Sequence, residues 1–185
     1  MNYKKYSYSD IYDIISDKII DGKIIGWYQG RSESGPRALG NRSILCDPRD
    51  PKMKDYLNER IKHRENFRPF APTIMKDYIT EWFEDIEEAP YMLKIAKYIK
   101  GMGEKVPSVC HIDYTGRLQS ITENDNVYFY NLIKTFYNKT GCPILLNTSF
   151  NDNGQPIIET PADAIHTFNN IDLDYLVLKN YILTK

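Results

Sequence analysis

Arginine and lysine recur among glycines between Gln29 and Arg68, and those residue types together bind anions. Ten basic side chains (Arg31, Arg37, Arg42, Arg49, Lys52, Lys54, Arg60, Lys62, Arg64 and Arg68) meet six acids there, a local excess of +4 in a chain of net charge −1. A basic focus on an otherwise acidic chain points to an anionic ligand held at one place, and we read that ligand as phosphate. Glycine lets backbone N–H groups approach an oxyanion, and a guanidinium offers paired donors to two oxygens. The GPRALG run from Gly35 to Gly40 has the glycine spacing of a P-loop. Asn41, Arg42 and Ser43 follow where Lys-Ser/Thr is needed, so it is not a Walker A loop. The bland reading of the same run is a surface loop with solvated charges.

Three further groups could do chemistry. Lys62, His63 and Arg64, with Arg68 beyond, leave a helix end and enter a run stiffened by Pro69 and Pro72. Fixed cations of this kind suit a polyphosphate, whose charge must be neutralised as a leaving group departs. His111 and Asp113 stand two apart in an expected strand, hence on one side of it. They read as a general base with its orienting partner, as two metal ligands, or as a hydrogen-bonded structural pair. His63, His111 and His166 show no zinc-binding spacing. Asn147, Thr148, Ser149, Phe150 and Asn151 follow a buried strand, where open α/β sheets place their ligands. No G-x-S-x-G elbow surrounds Ser149, so it reads as a donor to an oxygen or as part of a turn network.

The elements that must position these groups alternate. Apolar spacing predicts helices over 10–21, 125–139 and 160–168, and a helix opened by Asp50-Pro51 with Met53, Leu57 and Ile61 on its apolar face. A short helix is expected over 78–84. Strands are expected over 23–28, 43–46, 91–96, 143–147, 175–178 and 181–183, with an extended run over 67–75. A hairpin is expected to pair 109–113 with 117–121, and 99–107 reads as a mobile surface loop that could close as a lid. Interleaving of this kind gives an α/β class with a mixed, twisted, open sheet and flanking helices. With no repeat or linker in view, residues 1–185 read as one domain.

Composition narrows the function. A hydrophobic fraction of 42% fits a globular chain, and near-neutral charge argues against a general nucleic-acid binder. No apolar run is long enough to cross a bilayer. Three widely spaced cysteines without a CxxC suit a reduced, cytoplasmic chain.

Taken in order, the runs GRSESGPRALGNRSILCDPRDPKMKDYLN, IKHRENFRPFAP, HIDYTGR, TGCPILLNTSFN and ETPADAI closely resemble the C-terminal domain of the NodU/CmcH-type carbamoyltransferases. The resemblance runs from about Ile24 to Lys185. It implies a YrdC/Sua5-like fold, with Lys62, Arg64 and Arg68 similar to that fold's K-x-R phosphate signature. It also implies an enzyme that makes carbamoyl adenylate from carbamoyl phosphate and ATP, with Mg2+ carried on the phosphates. A separate N-terminal, actin-like domain or chain, not part of these 185 residues, would pass the carbamoyl group to a hydroxyl of a sugar or natural product. By motif, Arg37, Lys62 and Arg68 would hold phosphates, and Arg117 the carbamoyl phosphate or nucleotide. Asn147 and Ser149 would complete the contacts, with Arg31, Arg42, Arg64 and His111 in support. Ser34, Tyr114 and Gly116 depart from the family pattern, and Tyr114 bears on the geometry between His111 and Arg117. Two alternatives remain open: an adenylate former that uses bicarbonate and an amino acid, and a nucleotide- or RNA-binding module without activity.

Overall fold

A computed structural model describes residues 1–185. Nine strands, β1 (Asn2–Lys5), β2 (Ile25–Tyr28), β3 (Arg42–Cys46), β4 (Ala71–Met75), β5 (Lys94–Lys97), β6 (Thr115–Ile121), β7 (Ile144–Ser149), β8 (Tyr175–Leu178) and β9 (Tyr181–Thr184), make a single open sheet. Their order is β1-β9-β8-β2-β3-β7-β4-β6-β5. The pairs β2/β8 and β4/β6 are parallel and the other neighbours antiparallel, so the sheet is mixed, as expected. Helices α1 (Tyr8–Ile20), α2 (Met53–Tyr56), α3 (Ile79–Trp82), α4 (Val127–Thr140) and α5 (Pro161–Asn170) complete the fold.

The longer helices form where apolar spacing and caps agree. In α1, Ile11, Ile15 and Ile19 are fully buried, each contributing about 1.5–3 kcal/mol relative to exposure. Its cap is Ser7, whose side chain accepts from the Asp10 N–H at 3.2 Å, so the helix starts earlier than Ser9 or Asp10 would set. Helix α4 opens on Asn126 and closes on Gly141, which takes the left-handed conformation (φ 71°) that ends helices. Thr160 and Asp163 form a reciprocal capping box at the start of α5, with Pro161 in the first turn. Helix α1 packs on α4, α4 lies on β4 and β7, and α5 lies on β8 and β2.

Several expectations are corrected. The hairpin between 109–113 and 117–121 does not form: β6 pairs instead with β5 and β4. Residues 111–115 turn back on themselves, because the Tyr114 N–H donates to the His111 carbonyl at 3.0 Å and the His111 N–H to that of Thr115 at 2.8 Å. Tyr114 sits at φ 59° in this turn, so His111 and Asp113 are not side by side on a strand. The 99–107 segment is no free lid, since Val106 is fully buried in the core. The helix opened by Asp50-Pro51 is α-helical only over Met53–Tyr56 and then widens into a π-turn over Leu57–Ile61. The Lys62 N–H closes that turn on the Leu57 carbonyl at 2.8 Å. Strand β1 carries no sequence signal, because all four of its side chains are exposed and leave no alternation to read.

Candidate anion site

The glycine loop joins β2 to β3 and is tied to itself. One carboxylate oxygen of Glu33 accepts from the N–H groups of Leu39 and Asn41, both at 2.7 Å. The Ser43 hydroxyl accepts from the Gly40 N–H at 3.1 Å. These three backbone donors, which the sequence suggested for phosphate, are therefore engaged within the loop. Gly40 lies at φ 112°, and a Cβ there would stand 2.2 Å from the Phe129 ring, so the position requires glycine. Arg42 is buried. Its guanidinium donates to the carbonyls of Gln29 at 2.6 Å, Asn41 at 2.9 Å and Glu159 at 3.2 Å, and lies 3.6 Å over the Tyr28 ring. It clamps the ends of the loop and does not face the solvent.

Three polar side chains on neighbouring strands hold the loop against the sheet. Asn147 of β7 donates to the Ala38 carbonyl at 3.1 Å and to the Gln119 side-chain oxygen at 2.9 Å. Thr73 of β4 donates to that same oxygen at 2.7 Å. Gln119 of β6 donates in turn to the Leu39 carbonyl at 2.9 Å. Asn147, expected as a phosphate donor, thus directs its amide N–H groups into the loop and leaves its oxygen buried without a partner. The loop residue just before Ala38 is Arg37, which this arrangement fixes in place while its side chain stays exposed.

Lys62 is buried and joins the π-turn to the end of β7. Its ammonium donates to the carbonyls of Ser149 at 2.6 Å and Asn151 at 2.9 Å, and to the Asn151 side-chain oxygen at 2.8 Å. Burial, with Arg64 nearby, pushes its pKa down to about 7, against an opposing pull from Asp152. His63, at φ 43°, reaches the same segment and pairs with Asp152 at 2.9 Å. The Ser149 hydroxyl donates to the Asn151 side-chain oxygen at 2.6 Å. A cleft of about 480 Å³ opens between the glycine loop and residues 155–159, with Arg37, Ser149 and Asn151 in its wall.

Arg117 lies within electrostatic reach of Arg37 and of Arg64, and Arg64 within reach of Arg68. Burial lowers the Arg117 pKa, and Arg37 lowers it further. Arg64 is lowered by burial first, then by Arg68 and Arg117, with Glu65 opposing. Arg37, Arg64 and Arg117 have no carboxylate within ion-pair distance, whereas Arg68 pairs with Glu65 at 2.9 Å. Arg64 donates to the Asn58 side chain at 2.7 Å and lies 4.9 Å from the Phe70 ring centre. The Nε of Arg117 is buried with no partner at all. Like charges held together without counter-ions are unfavourable until an anion joins them. Arg31 is exposed on the loop and makes no ion pair. His111 is lowered by burial, with Asp113 opposing and Arg117 and Lys54 adding to the depression.

The chain has relatives in sequence and in fold. A family model described as carbamoyltransferase C-terminus matches residues 16–185. The chain belongs to that family. Nodulation protein NolNO of Sinorhizobium fredii is 45% identical over 179 residues, covering 95% of this chain and 26% of NolNO. Nodulation protein NolO of Bradyrhizobium diazoefficiens is 42% identical, over 95% of this chain and 33% of NolO. The 3'-hydroxymethylcephem-O-carbamoyltransferase of Amycolatopsis lactamdurans is 36% identical, over 83% of this chain and 29% of the enzyme. The chain therefore spans between a quarter and a third of the length of these relatives. In structure it resembles HypF of T. kodakarensis, with a TM-score of 0.62 at 15% identity over 99% of this chain and 23% of HypF. Full-length HypF in its phosphate- and nucleotide-bound form gives 0.57 at 12% identity, over 96% of this chain and 22% of that one. The likeness to HypF is one of fold, and it agrees with the YrdC-like expectation.

Glu33, Thr73, Gln119 and Thr115 shape the site and were not singled out by sequence. Gln119 carried a usable signal, since it stands two residues beyond Arg117 and shares its face of β6. Glu33 carried none, because its partners lie in a loop of irregular shape.

Proposed function

We propose that this chain forms carbamoyl adenylate from carbamoyl phosphate and ATP, as the adenylating part of an O-carbamoyltransferase. The observation that carries the reading is the set of guanidinium groups without a carboxylate partner at Arg37, Arg64 and Arg117, with the Arg117 Nε–H buried and free. Membership in the carbamoyltransferase C-terminal family supports it, as does a fold shared with HypF, which was solved with phosphate and nucleotide.

In this reading water releases phosphate from carbamoyl phosphate and leaves carbamate. A carbamate oxygen then bonds to the α-phosphorus of ATP while the bond to pyrophosphate breaks. Carbamate is a weak nucleophile, so rate comes from holding it in line and from stabilising charge on the phosphoryl oxygens. Arg37 and Arg117 hold those oxygens, and Arg64 and Arg68 neutralise the departing pyrophosphate. Ser149 lines the cleft and would release its bond to Asn151 to donate to a phosphoryl oxygen. Lys62 and Asn147 are positioning residues, since they fix the 149–151 turn and the glycine loop. Mg2+ arrives as part of the ATP substrate. A partner domain or chain hands the carbamoyl group to a hydroxyl acceptor.

The test is pyrophosphate release from ATP in the presence of carbamoyl phosphate and Mg2+, with and without a transferase partner from the same family. Release that depends on carbamoyl phosphate is expected. No release and no exchange of labelled pyrophosphate into ATP, even with the partner present, overturns the assignment.

A further inference from the structure

Beside the arginine group lie two buried polar atoms with no partner, the Nε of Arg117 and the Nε2 of His111. They differ in kind. Arg117 Nε carries a proton at any accessible pH and can only donate. The state of His111 Nε2 follows from a short chain of hydrogen bonds. Hydrogen bonds from Thr115 keep the Asp113 carboxyl below the usual carboxylate range, so it is ionised and can only accept. Thr115 therefore gives its one hydroxyl proton to Asp113, at 2.7 Å. The same hydroxyl oxygen lies 3.2 Å from His111 Nδ1, where it can only accept. The proton on His111 must sit on Nδ1. Burial, together with Arg117 and Lys54 and against Asp113, keeps the ring neutral near pH 7, so Nε2 is a bare lone pair.

A lone pair is unsuited to a phosphate oxygen. Together with an unused N–H donor on Arg117, whose charge is felt at His111, it suits a group with a carbonyl on one side and an N–H on the other. Resting on the proposed function, we infer that His111 Nε2 and Arg117 Nε–H together read the carbamoyl group, the imidazole accepting from its –NH2 and the guanidinium donating to its carbonyl oxygen. The pair then distinguishes carbamoyl from acetyl phosphate, whose methyl group would leave the buried Nε2 unpaired. Sites built around such a hydrogen bond reject analogues that lack it. Thr115 acts as a positioning residue that sets the tautomer.

The test uses two stable analogues, phosphonoacetamide and phosphonoacetone, which differ only in –NH2 against –CH3. Calorimetric titration of the wild-type chain should show tighter binding of the amide by about tenfold or more. His111→Phe should abolish the preference while leaving phosphonoacetone within about twofold. Thr115→Val frees the Nδ1 proton to move to Nε2 and should also erode the preference, whereas Thr115→Ser should keep it. Nitrogen NMR of the ligand-free chain should show His111 Nε2 as the unprotonated nitrogen, and this readout does not depend on turnover. Equal binding of both analogues, equal weakening of both by His111→Phe, or a proton on Nε2 overturns the inference and leaves the anion site standing. If neither analogue binds, the anion site itself is misplaced and both readings fall together.

Discussion

The ammonium of Lys62 lies 2.6 Å from the carbonyl oxygen of Ser149, at the end of a strand 87 residues further along the chain. With Asn151 it makes a cross-link between the π-turn after α2 and the end of β7. Lys62, which sequence expects on a phosphate, thus directs its ammonium to three oxygens of the 149–151 turn.

Burial of the Lys62 ammonium, with Arg64 nearby, sets a pH dependence. The pKa of Lys62 falls from 10.5 in a free side chain to about 7 here. Below about pH 7 the folded and unfolded chains both hold the proton, and the group adds no slope. Between about 7 and 10.5 only the unfolded chain holds it, so this group makes folding more favourable as pH rises. Urea unfolding of wild type and Lys62→Met across pH 6–10, as an approximate range, should show the wild type gaining on the variant as pH increases. Parallel curves would contradict the depressed pKa.

Arg37 is exposed and makes no ion pair, so its removal should leave the fold alone. Arg37→Ala should change unfolding stability by no more than about 0.5 kcal/mol. Its affinity for ATP should fall about 10- to 100-fold, the value of a hydrogen bond from a charged donor. Fluorescence titration with a nucleotide analogue measures the second, and unchanged affinity would place the phosphates elsewhere.

Asn147 should act through the loop. Asn147→Ala strips partners from the Ala38 carbonyl and from Gln119 and should cost about 1–3 kcal/mol of stability. Asn147→Asp should be worse, because a carboxylate would then face two oxygens. If the Asp variant is the more stable in chemical denaturation, the Asn147 amide is not the donor described above.

Gly40→Ala combines a side-chain clash with a backbone penalty. The new methyl would meet Phe129 at 2.2 Å, and φ 112° disfavours any L side chain, so a loss of about 3 kcal/mol or more is expected. Adding Phe129→Ala removes the Cγ and Cδ1 atoms that the methyl meets and, judged against the Phe129→Ala single variant, should relieve only the clash. Full recovery in the double variant would show that φ at this position is not constrained.

Much of the fold could be read from periodicity. The α1, α4 and α5 segments carry apolar faces with caps at or near their ends, and the central strands are short apolar runs. What escaped depended on tertiary partners. Residues 109–113 have strand-like composition, yet Tyr114 turns the chain back and β5 takes the place beside β6. Around the candidate site, the motifs named residues whose hydrogen-bond partners could not be read from spacing. Lys62 and Arg42 look like ligand-facing cations until their acceptors, at 149–151 and 159, are brought in by the fold. The tautomer of His111 depends on Thr115 and Asp113 folding into a single turn, which spacing alone does not reveal.

Glu33 puts a carboxylate where the loop's amides converge, so the loop takes its shape before any ligand arrives. Little chain entropy is then left to lose on association, and encounter need not wait for the segment to order. The Leu39 and Asn41 amides should accordingly exchange slowly with deuterium in the ligand-free chain, and no more slowly once nucleotide is bound.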